Sequence, residues 1–323
     1  MSLGGIAEGQ SSSIMATEFG FLPSDDEYRG SGWSAEPLDD LPTKRDRVLN
    51  HACCSEKWFY PPIVECQTDP SSRRRPLTQA DRFVLPCTHR LEIDRPGPLA
   101  NKDVVVLLYA LGFANGLLLV QNGWGHLYRA AIRPGLLSGF YTSPRAAAEI
   151  VDLTLQLPRR HDDGIEAGRN GLSGVLCWYL FGQSYTRRFE EFAAQYTVLD
   201  SLCHLYDKIS GSTLFKKPHA CRPEALCRLL GVEPPSWIQA QRDAKKRKWS
   251  SELSTLRNGL VHEGMFGNKP ATLGLPGDDL LESISWLHEL NRSLILAIIG
   301  FNHPSASDPE WKQPIWGEYV GFE

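Results

Sequence analysis

The sequence has no excess of positive charge. Its 34 Lys and Arg are outnumbered by 38 Asp and Glu, giving a net charge of −4. Bulk attraction to nucleic acid is thereby excluded, and any RNA contact has to come from a local patch. No cysteine pair has C-x-x-C spacing; the eight cysteines, at positions 53, 54, 66, 87, 177, 203, 221 and 227, are dispersed over 323 residues. A secreted disulfide scaffold would be shorter and denser in Cys, so reduced thiols in a cytoplasmic protein are expected. The first residues lack the basic start and apolar core of a signal peptide. Long hydrophobic runs are scarce: only Val104–Val120 approaches the length of a membrane span, and Gly112, Asn115 and Gly116 interrupt it. A buried helix, with no membrane partner, is the expected reading. No internal repeat is present.

What is present is ordinary for a globular protein: 42% apolar and 22% charged residues. That is enough for a core in each of about two domains. Residues 1–45 are polar, rich in Gly, Ser and Asp, and aperiodic, which predicts a loose arm. Over 46–160 the pattern is mixed α/β. Trp58-Phe59-Tyr60, Ile63–Cys66, Arg82–Leu85 and the alternating His89–Ile93 predict short antiparallel strands between Pro-rich breaks. Ser143-Pro144 supplies an N-cap and an N1 proline for a helix through Ile150, Val151 and Leu155. The polar Leu157–Gly164 segment predicts a domain boundary.

From 165 to 303 the pattern predicts an all-α bundle, followed by a tail over 304–323. Phe189, Phe192, Ala193, Tyr196, Leu199, Cys203 and Tyr206 recur at helical steps as one apolar face. A short helix spans Pro223–Leu230 and stops at Gly231. A third begins near Ser236 or later and carries Leu253, Leu256, Leu260 and Val261, with Gly264 as its C′ residue. The fourth runs over Asp278–Ile299, with Leu280, Leu281, Ile284, Leu287, Leu290, Leu294 and Ile298 inward, and Gly300 closes it. The fold class expected is therefore α+β: a mixed α/β half with short strands, then a helical bundle.

One segment carries chemistry: Leu256-Arg257-Asn258-Gly259-Leu260-Val261-His262-Glu263-Gly264. Cleaving RNA needs a base for the 2′-OH proton and positive charge for the phosphorane. His262 suits the first task, being a side chain that titrates near neutrality. Arg257 suits the second, since its planar fork matches phosphate oxygens and stays charged. Asn258 would orient them. A 2′-OH nucleophile needs no activated water, so neither metal nor cofactor is expected. An opposite reading keeps the pair structural, as caps for the carbonyls of a helix end.

The segment resembles the R-x4-H signature of the HEPN superfamily, a nucleotide-binding helical family. Phe181–Tyr185, Phe189-Glu190-Glu191-Phe192 and Tyr196–Asp200 are similar to the first bundle helix of its ApeA-like group, and Asn122-Gly123-Trp124-Gly125 to a loop upstream of it. The resemblance covers about 165–302. It implies an endoribonuclease leaving 2′,3′-cyclic phosphate and 5′-OH ends, in a toxin or antiviral setting. It equally admits a non-catalytic RNA- or nucleotide-binding or ligand-sensing module.

Spacing adds a geometric objection. Residues five apart lie about 140° from each other on an α-helix, so Arg257 and His262 would not face one another. The Gly264 stop would let His262 swing from the last turn, and the family's own remedy implies a symmetric homodimer in which two motifs share a cleft. Supporting roles fall to Asp200, expected to orient Arg257 from a neighbouring helix, and to Glu263, which either tunes His262 or faces solvent. Arg242, Lys245, Lys246, Arg247 and Lys248 form a basic cluster before the motif, either an RNA track or a solvated face. Cys203, His204, His219, Cys221 and Cys227 match no zinc spacing. Trp124 and Trp178 are expected in the core.

Overall fold

The structure, a computed structural model, describes residues 15–61, 85–94, 100–121, 129–137, 141–157, 165–185, 187–243, 248–266, 269–270 and 278–301. Outside these lie the expected strands at 63–66 and 82–84, the loop at 122–125 with Trp124, most of the expected boundary (158–164), Lys245, Lys246 and Arg247, and the tail from 304.

Residues 15–45, expected as a loose arm, instead build the edge and centre of a sheet. β1 (Met15–Gly20), β2 (Tyr28–Gly30) and β3 (Trp33–Pro37) precede α1 (Leu41–Leu49) and the short strands β4 (Cys54–Ser55) and β5 (Trp58–Phe59). Then come β6 (His89–Ile93), α2 (Ala100–Asn115), β7 (Val120–Gln121), β8 (Ala130–Ala131) and α3 (Pro144–Gln156). One antiparallel sheet has the order β2-β3-β6-β1-β7, and a smaller one β4-β5-β8. The strand at His89–Ile93 forms as its alternation predicts: His89, Leu91 and Ile93 are buried and Arg90 is exposed. It pairs on both sides, with Met15 and with Trp33 opposite Ile93. β2 and β3 pair locally, but β1 and β3 gain their other neighbours only from β6 and β7, far along the chain, and there Phe19 and Trp33 are buried.

The apolar run at 104–120 divides at Gly116, whose φ of 62° ends α2 in a left-handed cap. Leu117–Leu119 stay buried but leave the helix toward β7. Among the described residues no helix is long and apolar enough to cross a membrane. α3 starts where expected, with the Ser143 side chain accepting from the Ala146 amide and Pro144 in the first turn. α3 is tied to the sheet by Asp152, which accepts from Trp33 Nε1 at 2.8 Å and from the Ser31 amide.

The second half contains α4 (Ile165–Gly182), α5 (Arg188–Ser210), α6 (Arg222–Leu230), a hairpin of β9 (Gln241–Asp243) and β10 (Lys248–Ser250), α7 (Glu252–Asn258), a second hairpin of β11 (Met265–Phe266) and β12 (Lys269–Pro270), and α8 (Asp278–Ile299). It is not all-α as expected. The Gly-bearing α4 is not apparent from periodicity, and the third expected helix takes the later of its starts, at Glu252, with the β9–β10 hairpin before it. α5 is central rather than one-sided. Glu191, Ala194, Gln195, Val198, Leu202 and Leu205 are buried along with Phe192, Tyr196 and Leu199, whereas Ala193 is exposed. It packs against α4, α6 and α8, and two polar ties fix it to α8: His288 Nε2 lies 3.0 Å from Glu191, and Asn291 Nδ2 donates to Gln195. One apolar cluster runs through both halves, from Leu91 and Leu107 to Leu199 and Leu294.

The β6 histidine makes the fold sensitive to acid. His89 is fully buried, with Nδ1 3.2 Å from Thr88 Oγ1 and Nε2 3.3 Å from the Asp26 carbonyl. A carbonyl can only accept, so Nε2 carries the proton and Nδ1 accepts from the Thr88 hydroxyl, the neutral tautomer. Burial pushes its pKa down to about 4, against the pull of the Asp26 carbonyl and the Asp26 and Asp25 charges. The unfolded chain, titrating near 6.5, therefore takes up a proton the folded chain refuses, so stability held above pH 6.5 is lost as pH falls toward 4. Between pH 7.5 and 5 this one group should remove about 2 kcal/mol. Urea unfolding at both pH values checks it: in His89→Gln the decline should shrink by about that amount, and an unchanged decline would refute the assignment.

Candidate functional site

α7 is set by its ends. Ser251 and Ser254 cap it reciprocally, each hydroxyl accepting from the other's amide, and both are buried. Leu253 is buried, and Leu256 and Leu260 pack on the main core. Past Asn258 the backbone widens into a π-helical turn over Gly259–Glu263, closed by Gly264 at φ 64° with its amide donating to the Gly259 carbonyl. In such a turn, hydrogen bonds link residues five apart, and such bulges recur at functional sites. The widening admits one extra residue while Leu260 keeps its core contact. Val261 is pushed outward and is 56% exposed, not buried as its spacing predicts.

This turn removes the geometric objection to the R-x4-H spacing. Arg257 Nη1 lies 3.4 Å from His262 Nε2 and 3.1 Å from Asn258 Oδ1 within one chain. Arg257 and His262 thus meet within one chain through a turn closed by Gly264, where a continuous α-helix would hold them apart. Arginine has no acceptor, so in this contact Nε2 of His262 presents its lone pair, the state a general base requires. Asn258, His262 and Glu263 are exposed.

Arg257 also lies over Tyr196 on α5, its guanidinium carbon 5.9 Å from the ring centroid, near the outer range of a cation–π contact. Tyr196 opens a second polar chain. Its hydroxyl is 2.9 Å from His219 Nδ1, and the two rings stack at 5.6 Å. Burial, ahead of the nearby Asp200 charge, pushes the Tyr196 hydroxyl's pKa up, so it stays protonated and donates. His219 Nδ1 then accepts, leaving the proton on Nε2, which faces Asp200 Oδ1 at 3.5 Å. Burial lowers the His219 pKa, and Arg222 and Arg257 push the same way against Asp200. The expected orienting role of Asp200 is not what the geometry gives: its carboxylate pairs with His219 and with Arg222 at 3.6 Å, not with Arg257. Arg222 outcompetes because it sits at the start of α6, packed against α5.

Together these residues frame a cavity of about 250 Å³, with Phe192, Tyr196, Asp200, His219, Arg257 and Leu260 in its walls. Glu263 has no ion-pair partner among the described residues and stands beyond the cavity. Arg242 and Lys248 are exposed, but on the β9–β10 hairpin rather than a helix. Sequence reasoning missed Tyr196, His219 and Arg222 as site residues. The one available signal was Tyr196 lying one helical turn before Asp200; nothing in the spacing pointed to His219. Cys203 and Cys227 are buried, each thiol pushed up to about 12 by burial, and among the described residues no group of three His, Cys, Asp or Glu could hold a metal ion. Comparison with protein-family models, with curated proteins and with solved structures finds no match to this chain.

Proposed function

We propose that the chain is a HEPN-type, metal-independent endoribonuclease. The observation that carries this reading is the approach of Arg257 Nη1 to His262 Nε2 across the π-helical turn, at the mouth of a cavity. In the proposed reaction His262 Nε2 takes the proton of a ribose 2′-OH. The 2′ oxygen bonds to the adjacent phosphorus, the bond to the 5′ oxygen breaks, and a 2′,3′-cyclic phosphate remains. Arg257 faces the phosphorane oxygens with the N–H groups not used on Asn258 and His262. In a homodimer, a second His262 would protonate the leaving 5′ oxygen, and the exposure of Asn258, His262 and Glu263 leaves the motif accessible to such a partner.

The alternative is a non-catalytic RNA- or nucleotide-binding dimer. It draws support from the same local contacts, since Arg257, Asn258 and His262 also satisfy one another at a helix end. One assay separates the two. Mixed RNAs are incubated in EDTA with the wild-type chain and with His262→Ala, and product ends are typed. Cleavage by the wild type only, leaving cyclic-phosphate ends, is expected. Equal activity in both, or none in the wild type, favours the binding module.

A further inference from the structure

Beyond Asp200 and Ser201, which line both spaces, the candidate cavity continues into a larger hollow of about 510 Å³ beside α4 and α5. The glycines of α4 keep it open: a Cβ at Gly174 would meet nothing within 4 Å, and one at Gly171 only the Leu205 side chain. Its walls carry Trp178, His204, Lys208 and Phe215. Trp178, expected in the core, is 43% exposed and has no ring or cation contact among the described residues. Phe215 is a fixed wall, with the Arg222 guanidinium 4.2 Å from its ring centroid and the His204 ring edge-on at 5.0 Å.

One ammonium, that of Lys208, stands in the wall of this hollow, and Lys216 and Lys217 follow Phe215 in the chain. Lys208, Lys216 and Lys217 are exposed and have no ion-pair partner among the described residues. The nearby acids are occupied. Asp207 accepts from the Ser212 hydroxyl and from the Leu214 and Phe215 amides, and Asp200 faces Arg222 and His219. An exposed indole and the unpaired Lys208 ammonium in one hollow are the combination that binds a base and a phosphate of a single strand.

We infer that the groove along α5, from Arg257 to Trp178, binds an unpaired stretch of RNA, with one base stacked on Trp178 and a backbone phosphate at Lys208. The inference takes the identity of the polymer from the ribonuclease reading and adds where its flanking nucleotides lie. Tyr196 and Lys208 stand about 18 Å apart along the helix axis, the reach of a short oligonucleotide. Paired RNA would hide its base faces from the indole, so a duplex is a poor occupant.

The test is binding rather than cleavage. A fluorescein-labelled 2′-O-methyl uridine decamer, which lacks the 2′-OH nucleophile, is titrated into the full chain by anisotropy. Trp178→Ala should weaken binding by roughly 5- to 150-fold. Trp178→Phe should recover most of it, Lys208→Glu should weaken it and flatten its salt dependence, and a blunt RNA duplex should compete poorly. Absence of decamer binding to the wild type, or Trp178→Ala within twofold of it, would overturn the inference. So would a Trp178→Ala chain that loses a self-association seen in the wild type while binding the decamer normally; a second copy would then be the occupant. Trp178-dependent binding without any RNA cleavage would sink the nuclease and keep the groove. Cleavage with Trp178→Ala binding unchanged would do the reverse.

Discussion

Replacing Arg257 by lysine should cost RNA cleavage in EDTA nearly as much as replacing it by alanine, on the order of 10²–10³ in rate. The argument is geometric. Arg257 spends Nη1 on Asn258 Oδ1 and His262 Nε2 while its guanidinium carbon lies 5.9 Å from the Tyr196 ring centroid. The remaining donors of the planar fork can then meet a developing phosphorane without rearrangement. A lysine ammonium has no second donor row to give the phosphate while holding Asn258. His262→Ala should lose roughly 10²–10⁴, the range for removing a general base, and the double variant should lose less than the product of the two, because the residues act as a unit. Single-turnover rates on one labelled RNA compare the four variants with the wild type. A lysine variant within threefold of wild type would show that charge alone suffices and that the fork plays no part.

Gly116→Ala should be among the most destabilising single-methyl changes in the chain, about 3 kcal/mol. Gly116 sits at φ 62°, and a Cβ there would lie 2.7 Å from Gly135 Cα and 2.9 Å from its N and C atoms. Nothing in a glycine backbone can rotate away. The crossing is also tied by the Gly135 amide to the Asn115 carbonyl at 2.6 Å and the Leu137 amide to the Gly116 carbonyl. Buried Asn115 links it onward to the Tyr28 hydroxyl in β2. A left-handed non-glycine residue costs roughly 1–2 kcal/mol and forced overpacking another 1–3. Gly211→Ala is the internal control: its φ is 68°, but nothing lies within 4 Å of the added methyl. Urea unfolding should place Gly211→Ala near 1 kcal/mol. Equal losses at the two sites would mean that the close approach to Gly135 contributes nothing.

Elements with local cause were legible in the sequence. α8 runs over Asp278–Ile299, α6 stops at Gly231, α3 starts at Ser143-Pro144, and β6 follows its own alternation. In each, the residues that dictate the element lie inside it. What escaped depended on distant partners. β1–β3 read as a polar arm because the surfaces that bury Phe19 and Trp33 come later in the chain. Trp178 read as core because an apolar ring says nothing about whether its neighbours across α4 are glycines. In the site, the residue types at 257, 258 and 262 could be chosen from chemistry. Their convergence could not, since an α turn and a π turn differ by a one-residue shift of a hydrogen bond, which the residue pattern did not reveal. His219 reaches Tyr196 only through the packing of α6 on α5, and no spacing rule encodes that.

The placement of β1 also bears on how the chain acquires its structure during synthesis. Met15 pairs with Ile93 and Gly20 with Val120, so β1 is an interior strand whose two neighbours are made long after it. At ordinary elongation rates the interval between residues 20 and 120 is on the order of ten seconds. Both hydrogen-bonding edges of β1 are open until β6 is made, and one stays open until β7, the condition that invites pairing with other chains. The sheet is therefore a late, high-contact-order event that waits for β6 and β7, and the tie between α5 and α8, Gln195 to Asn291, waits as long.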